Sequence, residues 1–430
     1  MKIAWFKKVI SPEIGAYLAG YSVFDKSVAK RDDLYMTGLC ADDGERKVLI
    51  ISFDLLGLDE WYTRRIREKC AAILGVSAEA VLFSCTHTHT GPECRIIKSK
   101  PDQLHVKYLE ALENWIIEEV TNLSNYRECD VFFYSSRCDE NRNRRYVTAC
   151  NQATFTPHRR EVVPIALEYA DKELGELCFI DKETHLPIYL IGNYAAHPLA
   201  GHAPGLGGLT ISADFPGVFR QYVTAETGAE CMFISGAAGN LVPKEDELGS
   251  DAVNKMGINL AKAAIGGLVD APRNPGRFGM PDAKVGAKSA FVKVPVRKSK
   301  KDKFPDYYDG KDIVDLEMQV VAIGDICFVG VPGELCNELG QEIKWHSPFR
   351  RAFIAYNATG YLDYIGHANM LVSGGYEGNC QLFTSRCGLM LLNGAADAMF
   401  ALRDELYPPE EGESYPDCVS NALVNIPANR

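Results

Sequence analysis

The feature that most limits the fold of this chain is a series of short apolar runs, each bounded by polar residues. Runs of this length predict buried strands, and the clearest are Val48–Phe53 and Ala352–Tyr356. Further strands are predicted at Val81–Phe83, Val162–Tyr169, Leu177–Ile180, Ile188–Tyr194 and Cys327–Val331. No run reaches the roughly 18 apolar residues that a membrane-spanning helix needs.

Helices and a hairpin are predicted between these strands. Trp61–Leu74 has apolar residues at helical spacing, with Asp59 as its predicted N-cap and Gly75 at its end. Ile313–Ile323 alternates and turns at Gly-Asp into Cys327–Val331, which indicates a hairpin. Hairpins beside strand–helix–strand units predict an α/β fold of mixed β-sheets covered by helices.

The domain organisation is predicted to be simple, because no Gly-, Pro- or Ser-rich linker separates two cores. Residues 1–408 are expected to form one domain, and residues 409–430, rich in Pro and Glu, an irregular C-terminal tail. Asp139–Arg145 is predicted to be a polar turn, and Lys298–Lys311 an exposed loop.

Charge and cysteine content exclude some functions. Lys and Arg total 46 against 57 Asp and Glu, and the absence of a basic cluster argues against binding to nucleic acid. The 14 cysteines contain no C-x-x-C pair, and no apolar export signal follows Met1. We therefore expect buried, reduced thiols in a cytoplasmic protein. Nothing in the sequence predicts an oligomeric state.

Chemically versatile side chains follow four of the predicted strands. In chain order these are His87 and His89, then His197, then Glu334, then Tyr361. Ligands of α/β proteins bind outside the carboxyl ends of strands, so these side chains are expected to share one pocket. Imidazole nitrogen and carboxylate oxygen suit zinc, so the pattern indicates a candidate metal site.

Each of these residues also has a structural alternative. His87 and His89 are two apart, so in an extended segment both point to one side, towards a pocket or towards the core. His197 and Tyr361 are each compatible with ordinary core packing. Glu334 could instead be the carboxylate at the N-terminus of a helix that ends near His346.

Eight short motifs occur in a fixed order along the chain. They are Leu18–Tyr21, Ser52–Gly57, Thr86–Pro92, Asn143–Tyr146, Ser212–Gly217, Gly236–Asn240, Pro332–Glu334 and Gly374–Glu377. Together they resemble the catalytic N-terminal domain of the neutral/alkaline non-lysosomal ceramidase family. The resemblance implies an α/β/β/α-type layered catalytic domain, here without a C-terminal immunoglobulin-like domain. It also implies a zinc-dependent hydrolase, because that family cleaves the amide bond of N-acyl-sphingosine.

The same resemblance implies roles for individual residues. His87, His197, Glu334 and Tyr361 match the zinc ligands of the family, and one Zn²⁺ ion, or another divalent metal, is expected. His89 matches the unligated histidine beside the metal. These roles come from the matched motifs, not from spacing alone.

Further positions match residues around the substrate. Arg144 resembles the arginine that meets the substrate, and Tyr376 the tyrosine near the reacting carbonyl. Asp214 is expected to support the site as a carboxylate behind the ligands, or only to cap the helix that begins near Pro216. Asn240 is expected to line the substrate.

One stretch departs from the family. Ceramidases have Gly-Asp-x-Ser-Pro-Asn where this chain has Gly239–Lys244, so Val242 replaces the serine, and valine can neither attack nor donate a hydrogen bond. Val242 is still expected to line the substrate. The sequence thus favours a zinc hydrolase in which water held by the metal attacks an amide or ester carbonyl of a small or polar substrate. The alternatives are a true ceramidase and a non-catalytic protein that binds a metal or ligand.

Overall fold

The computed structural model describes residues 1–21, 25–96, 106–148, 152–154, 164–167, 169–202, 206–244, 248–303 and 310–408. The strands are β1 (Lys2–Val9), β2 (Ala29–Lys30), β3 (Tyr35–Asp42), β4 (Lys47–Phe53), β5 (Val81–Cys85), β6 (Arg127–Arg137), β7 (Asn141–Asn143), β8 (Tyr146–Thr148), β9 (Ala153–Thr154), β10 (Pro164–Leu167), β11 (Glu173–Asp181), β12 (Pro187–Tyr194), β13 (Thr210–Ile211), β14 (Glu230–Ser235), β15 (Leu241–Pro243), β16 (Val285–Pro295), β17 (Ile313–Ile323), β18 (Ile326–Gly330), β19 (Glu334–Leu335), β20 (Arg351–Ala355) and β21 (Tyr364–Ile365).

Nine α-helices lie in the described ranges. They are α1 (Glu60–Leu74), α2 (Val106–Thr121), α3 (Asp214–Thr227), α4 (Ser250–Arg273), α5 (Pro275–Phe278), α6 (Asn337–Trp345), α7 (Ala368–Ser373), α8 (Gly375–Cys380) and α9 (Cys387–Leu406). Short 3₁₀ helices cover Ala78–Ala80, Leu206–Leu209 and Lys298–Lys303. In the part of the chain that the structure describes, no helix is both long and apolar enough to span a membrane.

Two mixed sheets form the centre of the fold. The larger has eight strands in the order β14-β12-β11-β6-β1-β3-β4-β5, with parallel pairs at β12–β14 and β4–β5. The smaller has the order β16-β17-β18-β20 and is parallel only between β18 and β20. Both sheets therefore combine hairpins with parallel pairs, as the sequence predicts.

The two sheets pack face to face around apolar side chains. Phe179 of the larger sheet and Phe328 and Phe353 of the smaller sheet belong to one buried cluster. Gly175 lets the sheets approach closely, because a Cβ there would lie 2.3 Å from the ring of Phe353. This inner layer buries one face of each sheet.

Helices cover the two outer faces. On the larger sheet, Ile66 of α1 and Leu112 of α2 share one buried cluster, and Phe219 of α3 and Leu260 of α4 share another. On the smaller sheet, α6 and α9 contribute to a third cluster with residues of β17, β18 and β20. The result is an α/β/β/α arrangement, so the predicted fold class is confirmed.

Several local predictions need correction. The polar stretch Asp139–Arg145 is not only a turn, because β7 lies within it and pairs with β15. β10 and β11 lie in different sheets, and β11 already begins at Glu173, before the predicted strand Leu177–Ile180. Asp59 is at the N-cap position of α1 as predicted, but its side chain makes no capping hydrogen bond and accepts one from the Ile96 amide at 2.6 Å.

Other expectations are confirmed or fall outside the described residues. The hairpin of β17 and β18 and the end of α1 at Gly75 (φ 70°) are as predicted. The cysteines of the described ranges are free thiols, all buried except the half-buried Cys380. The tail 409–430, part of the Lys298–Lys311 loop and part of the predicted strand Val162–Tyr169 lie outside the described residues.

Candidate metal centre

The carboxyl ends of strands from both sheets meet at Tyr356, directly after β20. Its carbonyl accepts a hydrogen bond from the amide of Cys85, at the end of β5, at 3.3 Å. Its amide donates to the carbonyl of Ser235, at the end of β14, at 3.0 Å. Tyr356 therefore ties the two edge strands of the larger sheet to the smaller sheet, and the loops after these strands converge.

His87 lies in a loop whose conformation differs from the prediction. Its φ of 72° is left-handed, so the segment is not extended as expected, and its amide donates to Leu55 at 2.9 Å. The imidazoles of His87 and His89 nevertheless face one centre, with their Nε2 atoms 3.2 Å apart. The prediction that both side chains point to one side is confirmed, but an extended backbone is not the reason.

Backbone carbonyls determine the tautomers of two histidines. Nδ1 of His87 lies 2.8 Å from the carbonyl of Leu56, and Nδ1 of His197 lies 2.7 Å from that of Ala238. A carbonyl oxygen can only accept, so these two contacts favour a proton on each Nδ1. The side-chain nitrogen of Asn357 also lies 2.9 Å from Nδ1 of His87 and donates to the same Leu56 carbonyl at 3.1 Å. When these imidazoles are neutral, each Nε2 presents a lone pair to the centre, which is the usual orientation of metal-binding histidines.

Glu334 lies opposite these lone pairs. It belongs to β19, and the following helix α6 begins only at Asn337, so the alternative as a helix N-terminal carboxylate is wrong. Its Oε2 is 3.2 Å from Nε2 of His197 and 3.5 Å from Nε2 of His87. All three residues are at most 2% exposed.

Two phenols donate to the same carboxylate. The hydroxyl of Tyr361 donates to Oε1 of Glu334 at 2.5 Å, and that of Tyr356 to Oε2 at 3.1 Å. A carboxylate that accepts from two hydroxyl groups is stabilised in its ionised form. Gly57 makes room for Tyr361, because a Cβ there would lie 2.5 Å from its ring.

These contacts fit a bound cation. Burial lowers the pKa of His197, which favours the neutral ring, and because its Nδ1 donates to the Ala238 carbonyl, its Nε2 faces the Glu334 carboxylate as an acceptor. Two acceptors 3.2 Å apart repel each other, and Nε2 of His197 has no hydrogen-bond partner among the described residues. A divalent cation between them would satisfy both.

His89 and Tyr361 lie at this centre, and their individual roles stay predictions. The three imidazoles offer ligand atoms that all lie within 4.8 Å of one another, so His89 is a candidate ligand as well as a neighbour. Tyr361 reaches the centre through Glu334, to which it donates.

The predicted substrate residues lie at the rim. Arg144 donates from Nε to Glu377 at 2.6 Å and from Nη2 to the Tyr364 hydroxyl and the Gly239 carbonyl, both at 3.1 Å. Tyr376 is half-exposed, and the guanidinium carbon of Arg144 lies 5.5 Å from its ring centroid.

The remaining predicted residues contact protein groups. Asn240 donates to Glu338 at 2.9 Å and accepts from the Asn337 amide at 2.8 Å, so it joins its loop to α6. Val242 lies in β15, next to Leu241, whose carbonyl accepts from Nδ1 of His197 at 3.0 Å. Their predicted contact with substrate stays a prediction.

Asp214 supports the loop that follows His197 and does not act as an N-cap. The N-cap position of α3 is Ala213, and Asp214 is the first helical residue, with a left-handed φ of 57°. Its carboxylate accepts from the amides of Gly201 at 2.8 Å and Phe215 at 2.7 Å. Burial raises the pKa of Asp214 to about 6.

Sequence reasoning missed several residues of this region. Tyr21 and His202 stack at 3.7 Å between ring centroids, and Tyr21 also lies 4.8 Å from the ring of His89. Tyr364 and Glu377 hold Arg144. Tyr21 belongs to the motif Leu18–Tyr21 and Glu377 to the motif Gly374–Glu377, so the sequence offered a signal for both. No sequence signal points to His202.

Comparison with known proteins identifies the fold. No family model matches the chain, and no curated protein matches it. The crystal structure of neutral ceramidase from Pseudomonas aeruginosa is similar, with a TM-score of 0.75 and 16% identity over 97% of this chain and 77% of that chain. A ceramidase complexed with C2 gives a TM-score of 0.75 and 16% identity over 94% of this chain and 75% of that one. At such identity the likeness shows a ceramidase-like fold.

Proposed function

We propose that this protein is a zinc-dependent hydrolase of amide or ester bonds that acts on a small or polar substrate. The observation that carries the proposal is the bare Nε2 of His197 facing the ionised Oε2 of Glu334 at 3.2 Å. The fold likeness to neutral ceramidases supports the reaction class.

His87, His197 and Glu334 would hold the ion, and Tyr361 and His89 adjoin them. When bound there, zinc would lower the pKa of a water molecule to about 7 and polarise the oxygen of a carbonyl group. The hydrogen bonds of Leu56 and Ala238 keep the two imidazoles oriented for this task.

His89 is placed to move a proton. Its Nε2 lies 3.2 Å from Nε2 of His87, and the imidazoles of His87, His89 and His197 share one centre. From this position the imidazole of His89 would accept a proton from the attacking water and return it to the leaving group.

Arg144 and Tyr376 would stabilise the negative charge that develops on the carbonyl oxygen. Both groups lie at the rim of the centre, and each can donate hydrogen bonds. Donors held in position before the reaction are effective because they need not reorganise as charge develops.

The hydroxyls around the histidines favour water over a side chain as the nucleophile. Thr88 and Thr90 donate to the carbonyl of Ser212 at 2.7 and 3.0 Å, and Ser235 donates to that of Thr86 at 2.7 Å. These hydroxyls are therefore engaged within the protein. Val242 at the position of the family serine agrees with this proposal.

The preference for a small or polar substrate rests on the stretch that differs from ceramidases. Val242 replaces the serine, and Lys244 at the end of the same stretch pairs with Asp139 on the surface. We expect the enzyme to act in the cytoplasm, without a nucleic-acid partner. Ceramide remains the second candidate substrate because the fold resembles that of neutral ceramidases.

The test combines zinc analysis with a substrate panel. The purified protein is assayed for zinc and for hydrolysis of short amides, short esters and N-acyl-sphingosine, alongside H197A. A control, H346A, removes an exposed histidine at the end of α6. We expect H197A to lose zinc and hydrolysis of short substrates, and H346A to keep both. Bound zinc with no turnover of any substrate would instead indicate a non-catalytic binding protein.

A further inference from the structure

A second buried cluster of charges lies beside the candidate metal centre. It consists of Arg144, Arg145 and Glu377, of which Glu377 and Arg145 are fully buried. The side chain of Arg144 is 14% exposed and is the member that reaches the rim. Buried charges of this kind persist only where geometry and hydrogen bonds compensate for the loss of water.

The carboxylate of Glu377 is shared between the two arginines. Oε1 accepts from Nε of Arg144 at 2.6 Å, and Oε2 accepts from Nη1 of Arg145 at 3.1 Å. Arg145 also donates to the hydroxyl of Ser373 at 2.9 Å and the carbonyl of Gly374 at 3.0 Å. Arg145 therefore secures the turn between α7 and α8, which places Glu377 at the centre.

Acceptors from three segments fix the plane of the Arg144 guanidinium. Besides Glu377 of α8, these are the hydroxyl of Tyr364 in β21 and the carbonyl of Gly239, each 3.1 Å from Nη2. The planar fork of arginine can satisfy all three at once, which the ammonium of lysine cannot do with the same geometry. The guanidinium is thus held in one orientation.

This orientation brings positive charge to the centre. The guanidinium carbon lies 5.5 Å from the ring centroid of Tyr376 and 5.7 Å from that of Tyr364. Tyr364, to which Arg144 donates, is the pairing partner of Glu334 between β21 and β19. Arg144 is therefore joined to the metal centre through one residue.

We propose that Glu377 is a positioning residue that holds the Arg144 guanidinium where it binds the carbonyl oxygen of the substrate and the carboxylate of the product. The inference deepens the proposed function and rests on it for the identity of the ligand. Glu377 acts only through Arg144, and it does not touch the reacting atoms.

A double-mutant cycle separates positioning from a structural role. The variants are E377Q, R144A and the double variant, with S373A as a control that removes a contact of Arg145 at the same turn but none of Arg144. The probe is trifluoroacetate, a carboxylate that the enzyme cannot hydrolyse, titrated by fluorine NMR into the metal-free and the zinc-loaded protein. Zinc content and kcat and KM for the best substrate of the panel are measured in parallel.

We expect E377Q and R144A each to weaken trifluoroacetate binding about tenfold or more, as for the loss of a charged hydrogen bond. The double variant should bind no more weakly than R144A, because Glu377 has nothing left to position. The same loss should appear in kcat, with zinc content unchanged, and S373A should match the wild type. Binding that is unchanged in E377Q, or effects that multiply in the double variant, would overturn the inference.

R144K keeps the inference falsifiable if E377Q does not fold. This variant retains the charge and Glu377 but loses the fork, so it should weaken trifluoroacetate binding as R144A does, and wild-type binding by R144K would overturn the inference. Failure of the proposed function is seen separately. In that case the wild type would hold no zinc and hydrolyse nothing, while its binding of trifluoroacetate in the metal-free state would still report on Glu377.

Discussion

Glu317 and Glu334 are both buried carboxylates on strands, but they have different partners. Glu317 accepts from Nη1 and Nη2 of Arg67 at 2.8 and 3.1 Å and from the hydroxyl of Ser289 at 2.6 Å. Glu334 accepts from two phenols and then faces two imidazole nitrogens that carry lone pairs. Arg67 supplies a cation to Glu317, whereas within the described ranges no Lys or Arg side chain pairs with Glu334.

This difference separates a structural ion pair from a binding site. Against the effect of burial, Arg67 lowers the pKa of Glu317, and the pair joins α1 to the smaller sheet. Glu334 instead faces the imidazole nitrogens of His87 and His197. A carboxylate that is complete within the protein contributes to stability, whereas one that lacks a cation marks the position of a ligand.

The largest expected effect follows from neutralising each carboxylate. E334Q should abolish zinc binding and hydrolysis, because the amide cannot replace a charged ligand. E317Q should retain zinc and activity but lower the free energy of unfolding by about 3 kcal/mol, because Arg67 is left buried and unpaired. Metal analysis and denaturant unfolding measure the two outcomes. Loss of zinc from E317Q, or its retention in E334Q, would remove the distinction.

Removal of the metal should lower the melting temperature only of proteins that retain Glu334. A ligand that binds the folded state at 1,000 times its Kd stabilises it by about 4 kcal/mol, so a chelator should lower the melting temperature of the wild type and of E317Q. E334Q should melt at the same temperature with and without chelator. Calorimetry with and without added zinc checks this result, and a wild type insensitive to chelator would contradict it.

A third buried carboxylate, Asp59, is neither paired with an arginine as Glu317 is nor faced by imidazoles as Glu334 is. Burial raises its pKa from 3.8 to about 6, the Ile96 amide and Arg95 lower it, and Glu93 raises it. Because the folded-state pKa is the higher one, the contribution of Asp59 to stability is fully present below pH 4 and is lost as pH rises through 6, by about 2–3 kcal/mol.

Unfolding of the wild type and D59N from pH 4 to pH 7 tests this sign. The stability of D59N relative to the wild type should increase with pH, because the amide avoids the buried charge. Parallel pH profiles of the two proteins would show that Asp59 keeps its ordinary pKa.

The smallest expected effects come from removing one hydroxyl donor from each carboxylate. Y361F should weaken zinc affinity about 10–100-fold, whether Tyr361 is a ligand or only orients Glu334. S289A should leave zinc affinity unchanged and lower stability by about 1 kcal/mol. Competition with a chromogenic chelator gives the affinities. Equal zinc affinity in Y361F and the wild type would exclude both roles of Tyr361.

Much of the fold was predictable because short apolar runs mark buried strands. The strands around Val48–Phe53 and Ile188–Tyr194 were found, but their division between two sheets was not, because pairing joins residues that are distant in the chain. β7 was missed because Asn141–Asn143 is entirely polar and is a strand only through its pairing with β15.

The convergence of His87, His197 and Glu334 was predictable because each follows a strand. The orientation of the imidazole lone pairs, which makes these residues a cation site, was not predictable, because it depends on backbone carbonyls. Nothing in the sequence shows that Leu56 and Ala238 accept from the two Nδ1 atoms and leave the Nε2 lone pairs facing Glu334. Glu377 lies in the motif Gly374–Glu377, but its role was not predictable, since its partners depend on how α8 packs against the Arg144 loop.

The central claim is that a divalent cation joins His87, His197 and Glu334, and anomalous diffraction at the zinc edge tests it most directly. Crystals grown with zinc should show one strong peak within about 2.0–2.3 Å of both Nε2 atoms and of a Glu334 oxygen. A map without a peak there, with Glu334 hydrogen-bonded instead to a protonated His197, would contradict the claim.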